Sequence, residues 1–185
     1  MATKFQLLTV CGSTRSGSTN AAVLRTVAAV APEGVVVDGY DGLTDLPHFD
    51  PDRDRDPLPA AVADLRGRLK EADAVLFCTP EYAGALPGSF KNLLDWSVGS
   101  EAMYHKPVAW INASWAATGA KNAHESLRIV LGYLSVDLVE PACVQIPVGR
   151  DLVEADGLVH DEETRQRIAA AVTALVTHRP ISQTI

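Results

Sequence analysis

The most constraining stretch of this chain is Val10-Cys11-Gly12-Ser13-Thr14-Arg15-Ser16-Gly17-Ser18-Thr19-Asn20. An apolar run from Phe5 to Val10 stops abruptly there, small and hydroxyl-bearing residues gather around one arginine, and Ala21 to Val30 resumes with helical spacing. This predicts a strand, a turn and a helix start. Gly12 and Gly17 are read as taking backbone angles closed to other residues, so that successive N–H groups curl inward as a nest. Ser13, Thr14, Ser16, Ser18 and Thr19 add hydroxyl donors, and Arg15 adds a planar charged fork. The unpaired N–H groups and positive end of the following helix point at the same spot. A phosphate monoester fits such a pocket. The common nucleotide templates do not, because no Gly-Lys-Ser/Thr ending is present and two glycines do not make the three-glycine dinucleotide fingerprint. A cysteine phosphatase of the low-molecular-weight type is also excluded, since Arg15 follows Cys11 by four positions where that chemistry places it six away.

With 185 residues the chain is read as one domain, 1–185, large enough to bury a substantial core. The net charge is −7 and the 16 basic residues are scattered, which argues against nucleic acid or an anionic membrane as partner. No secretory signal and no stretch of membrane-spanning length is visible, and the three cysteines are too widely spaced for a short zinc pair. A reducing cytoplasm is the expected compartment. No His, Cys and carboxylate cluster has metal-ligand spacing, and the acids of Asp50 to Asp56, interrupted by Arg53 and Arg55, read as a solvated rim and not a calcium loop.

Along the chain, strands are predicted at Phe5 to Val10, Val35 to Val37, Ala74 to Cys78, Val108 to Ile111 and somewhere in Glu140 to Ile146. Helices are predicted over Asn20 to Val30, Leu58 to Ala72, a stretch preceded by Gly88 or Ser89 and running through Phe90, Leu93, Leu94 and Trp96, Ala120 to Tyr133 and Glu162 to Leu175. Tyr40 to Pro59, punctuated by four prolines, reads as a long loop with a turn at Leu43 to Leu46, Val148 to Val159 as irregular, and His178 to Ile185 as a frayed end. Alternating strands and helices imply an α/β three-layer sandwich with a parallel sheet, and 2-1-3-4-5 is the economical doubly wound order. Loops 11–20, 79–88 and 112–119 then leave the carboxyl ends of neighbouring strands and meet at one crevice. In the second loop Pro80 and Pro87 stiffen the chain, Gly84 and Gly88 permit close approach, and Tyr82 can lie against a ring face. Glu81 lacks the neighbours of a general base. A phosphate clamp at one end and a rigid loop of backbone polar groups at the other suit a phosphorylated flavin.

Those two stretches, Gly12 to Asn20 and Pro80 to Trp96, resemble the NAD(P)H-dependent FMN reductase family of flavodoxin-like proteins, which includes quinone, azo-dye and chromate reductases. The resemblance spans about Phe5 to Leu175. It implies that Ser13, Arg15, Ser18, Thr19 and Asn20 hold the FMN phosphate, and that Pro80, Glu81, Tyr82 and Gly84 border the isoalloxazine through main-chain atoms. Lys91, Asn92 and Asp95 fall at scaffold positions. The third flavin loop, which commonly carries a glycine pair, corresponds to Ser114 to Lys121, with Ser114 and Gly119 as its site residues and Trp115 narrowing the substrate space. The implied reaction takes electrons from NADPH or NADH through FMN to free flavin, a quinone or another small-molecule electron acceptor, in a homodimer or homotetramer. The cofactor carries the hard chemistry, so no catalytic residue is required. Two other readings remain open: a flavodoxin-like electron carrier, and an interaction module that keeps the fold without the chemistry.

Overall fold

The computed structural model describes residues 4–179. Eleven main elements follow one another: β1 (Phe5–Cys11), α1 (Thr19–Val30), β2 (Val35–Tyr40), α2 (Ala60–Glu71), β3 (Ala74–Cys78), α3 (Gly88–Val98), β4 (Pro107–Asn112), α4 (Lys121–Tyr133), β5 (Asp137–Leu138), β6 (Val144–Gln145) and α5 (Glu162–Val176). The strands are parallel in the order β2-β1-β3-β4-β5. Because strand side chains alternate between faces, β3 is apolar at every position and feeds two cores. Ala74, Leu76 and Cys78 meet α1 and α5 through residues such as Val23, Val27, Ile168 and Val172. Val75 and Phe77 meet α2, α3 and α4 through Leu65, Phe90 and Leu127 on the opposite face. This is the three-layer sandwich anticipated above.

Two predicted elements take a different form. β2 runs on to Tyr40, each residue in register with β1 from Phe5 to Val10. The fifth strand, anticipated within Glu140 to Ile146, is split and starts earlier: β5 precedes that window and pairs with Pro107 and Val108, and only β6, paired with Ile111 and Asn112, lies inside it. Pro141 between them has no N–H to offer a ladder, so Glu140–Ala142 turns as a short 3₁₀ segment. Backbone bonds from Val139 to Val108, Ile146 to Asn112 and Val148 to Ala113 keep the broken strand alongside β4.

The long loop 41–59 is anchored from α3. Asn92 accepts the Phe49 N–H and donates to the Pro47 carbonyl, which also accepts from the Trp96 indole. The acid-rich rim is only partly solvated: Asp54 forms a 2.6 Å ion pair with Arg66, and both side chains are mostly covered. A Cβ on Gly99 would lie 1.9 Å from that carboxylate, so the glycine there makes room for the pair. Among the described residues no helix is long and apolar enough to cross a membrane, and no group of three or more His, Cys, Asp or Glu is placed to hold a metal ion. Of the predicted frayed end, residues 180–185 lie outside the described residues.

Candidate functional site

The loops after β1, β3 and β4 close on one cleft of about 310 Å³ at the carboxyl edge of the sheet. Nine of the eleven residues singled out from the sequence line it: Ser13, Arg15, Ser18, Thr19, Asn20, Pro80, Glu81, Tyr82 and Ser114. Gly84 and Gly119 do not, and each serves the backbone. Tyr82 and Ala85 exchange two backbone hydrogen bonds across Ala83 and Gly84, whose φ values of 50° and 72° make the tight turn that suits a hairpin of this hand. Gly119 faces a neighbouring cavity beneath the third loop.

The first loop is held from below and left open above. Ser18 precedes α1 in an extended conformation, is almost fully buried, and makes no side-chain capping bond. The N–H groups of Thr19, Asn20 and Ala21 therefore have no carbonyl four residues back within the helix and no capping side chain. Asn20 is buried; its Oδ1 accepts from the Cys78 thiol and its Nδ2 donates to Ser18 Oγ at 3.5 Å. Arg15 is exposed, its N–H donates to Ser13 Oγ, and its guanidinium reaches back to the Gly17 carbonyl at 2.9 Å. The glycines act otherwise than the sequence suggested, since neither Gly12 nor Gly17 takes a left-handed φ. Gly12 is required by space: its N–H bonds the Cys78 carbonyl, and a Cβ would sit 2.1 Å from Thr79 Oγ1.

The second loop contributes more than main chain. Glu81 Oε2 accepts the Ala123 N–H at 3.0 Å, so a carboxylate from the β3 loop caps the first turn of α4, where Ala120 has no side chain able to do so. The third loop is pinned by Asn112, which donates to the Gly119 carbonyl at 2.6 Å and accepts from the Ser114 N–H. Gly119 has φ of 59° and a Cβ there would lie 2.8 Å from Gln145 Nε2. Ala120 shares the left-handed region, so this loop keeps its bend with one glycine. His124 closes the turn: its Nδ1 lies 2.9 Å from the Ala120 carbonyl, and burial holds its pKa below the ordinary imidazole value.

This donor set offers hydrogen-bond donors and positive charge at one end and aromatic surface at the other. Hydroxyls, helix N–H groups and Arg15 surround the mouth of α1, while Tyr82 and Trp115 stand exposed on the opposing loops. Burial pushes the Cys11 and Cys78 thiols upward, away from thiolate, which removes the nucleophile a phosphatase would need. A model of the NADPH-dependent FMN reductase family matches residues 5–151. The chain belongs to that family. It is 30% identical to a quinone reductase of Escherichia coli over 178 residues, covering 94% of this chain and 95% of the relative. It is 31% identical to an NAD(P)H-dependent FMN reductase of Pseudomonas aeruginosa over 177 residues, with 95% of each covered. The solved flavoenzyme NAD(P)H:(acceptor) oxidoreductase FerB of Paracoccus denitrificans superposes with a TM-score of 0.77 at 29% identity, covering 93% of this chain and 95% of its own. The architecture is thus that of a flavin-binding oxidoreductase, suited to FMN-mediated electron transfer to small acceptors.

An FMN reductase-type cleft also draws on residues not singled out in the sequence. Ala113, Ala116, Thr118 and Ala120 complete the third loop's wall. Arg150 enters from the segment read as irregular, which in fact begins a 3₁₀ turn at Arg150–Leu152. One arginine in an unpatterned stretch carries no local signal; bonds made by its flanks, such as the Val148 N–H to the Ala113 carbonyl, bring its chain beside the cleft.

Proposed function

We propose that this protein is an NAD(P)H-dependent flavin oxidoreductase that uses FMN to pass electrons from a reduced nicotinamide to a quinone, free flavin or another small acceptor. The observation that carries this reading is the uncapped N-terminus of α1, ringed by Ser13, Arg15, Ser18 and Thr19, in the same cleft as Pro80, Glu81 and Tyr82. These residues fit a flavin mononucleotide: the open N–H groups and hydroxyls suit a terminal phosphate, and the tight Tyr82–Ala85 turn offers a stiff wall for a flat ring. FMN would supply the redox chemistry, accepting electrons from the nicotinamide and delivering them to the acceptor. The chain binds and orients. Arg15 and the α1 N-terminus hold negative charge, Asn20 fixes Ser18, and Asn112 keeps the third loop bent around the cleft. Tyr82 and Trp115, 50% and 72% exposed, present aromatic surface on which a planar donor or acceptor can stack.

Relatives named quinone reductase and 2-hydroxy-1,4-benzoquinone reductase, the latter from Burkholderia and 32% identical over 164 residues, support quinones as the acceptor class. Self-association into a dimer or tetramer belongs to the same reading, and the exposed Ile129 and Tyr133 on α4 supply apolar surface for it. The test is the visible spectrum of the protein loaded with FMN, freed of unbound flavin and treated anaerobically with NADPH and then NADH. A retained flavin band that bleaches with either nucleotide and recovers on adding a quinone is the expected result. A band that neither nucleotide bleaches overturns the reductase reading in favour of an electron carrier, and no retained or titratable FMN overturns flavin use altogether.

A further inference from the structure

We propose that Arg150 is a second cationic arm of the cleft and, with Arg15, binds the terminal phosphate seated at the N-terminus of α1; this rests on the reading that the cleft takes FMN. Three observations lead there. Arg150 lines the same cleft as Ser13, Arg15, Ser18 and Thr19 although it lies 131 to 137 residues later in the chain. Its guanidinium has no hydrogen-bond or carboxylate partner among the described residues, unlike Arg66, Arg68 and Arg128, which all sit on carboxylates. Its position is built from both sides: the Val148 N–H is bonded to the Ala113 carbonyl at the end of β4, and further on Gly157 accepts from Arg25 while the Val159 N–H bonds Thr26, both on α1. The segment carrying Arg150 thus bridges from the end of β4 to the side of α1.

Charge balance gives the arm its task. A phosphate monoester near neutral pH carries between one and two negative charges, and a helix N-terminus supplies about half a positive charge. Arg15 adds one, but part of its donor set is spent on the Gly17 carbonyl. A second guanidinium more than covers the charge left over and adds charge-assisted hydrogen bonds to replace those Arg15 spends on its own loop. The resulting site grips the phosphate between two chain segments, so a ligand lacking the phosphate gains nothing from Arg150.

The test is calorimetric titration of wild-type protein, Arg150→Gln and Arg150→Lys with FMN and with riboflavin, which lacks the phosphate. Wild type preferring FMN establishes the cofactor reading independently of the variants. Arg150→Gln is expected to weaken FMN about tenfold, with riboflavin unchanged and Arg150→Lys between the two, as loss of one charge-assisted contact predicts. The proposal is overturned if FMN affinity is unchanged in a folded Arg150→Gln protein, or if FMN and riboflavin weaken equally. A wild type that does not distinguish FMN from riboflavin removes the FMN reading and this assignment with it.

Discussion

Two helices point their N-termini toward the same cleft, and they end differently. α4 is closed: the Glu81 carboxylate takes the Ala123 N–H, and His124 Nδ1 lies against the Ala120 carbonyl. α1 is open: Ser18 makes no capping bond, and hydroxyls and an arginine surround the free N–H groups. An isolated helix gains about 1 kcal/mol from a capping side chain, so an uncapped end in a well-packed region forgoes stability that neighbouring residues could supply. The positive end of α4 is already met by a fixed carboxylate, whereas that of α1 has no capping side chain, as the proposed phosphate site requires.

The comparison can be broken most forcefully at the open end. Arg15→Ala is expected to weaken FMN binding about 10- to 100-fold, the range for losing hydrogen bonds from a charged group, with the denaturant midpoint of the free protein nearly unchanged. Titration with FMN beside a urea curve checks both halves, and an unchanged affinity in a folded variant would remove the phosphate from α1. Gly12→Ala tests the floor of the same loop. Its Cβ would meet Thr79 Oγ1 at 2.1 Å and Thr79 Cβ at 2.6 Å, so a loss of about 1–3 kcal/mol in urea unfolding is expected. Adding Thr79→Ala should restore only part of it, since the second of those contacts remains.

At the closed end the effects are smaller. Glu81→Ala should cost about 1 kcal/mol and speed amide exchange in the first turn of α4, the signature of a lost cap. Equal exchange in both proteins would show that α4 does not depend on this carboxylate. His124 gives that end a pH dependence. Burial lowers its folded pKa below the ordinary 6.5, so the unfolded chain binds the proton first as pH falls. Its contribution is complete above that ordinary value and is lost as pH drops through the lowered one. Urea unfolding of wild type and His124→Gln at about pH 7 and about pH 5 should show the wild type losing more stability, with burial opposing the charged form and Glu81 nearby favouring it.

Much of the fold was legible because local pattern and global order agree. Apolar strands such as Ala74–Cys78 alternate with amphipathic helices, and that alternation leaves few topologies open. The fifth strand was harder: β5 and β6 are two residues each, too short for periodicity to register, and their place is set by pairing with β4. At the site, nine of the eleven residues singled out by type line one cleft. Ser13, Arg15, Ser18 and Thr19 cluster because one short loop carries them all.

What the sequence determined by itself is the donor-rich turn between β1 and α1, the stiff loop after β3 and the parallel order that brings their ends together. These follow from residue type and spacing within about 15 residues, where backbone geometry is nearly fixed. Tertiary structure alone decided three things: that Gly12 answers to Thr79 and not to a backbone angle, that Glu81 caps a helix 40 residues onward, and that Arg150 joins the cleft. Each depends on which distant segment lies alongside, and a side chain's partner across the sheet leaves no trace in its own neighbourhood of the chain.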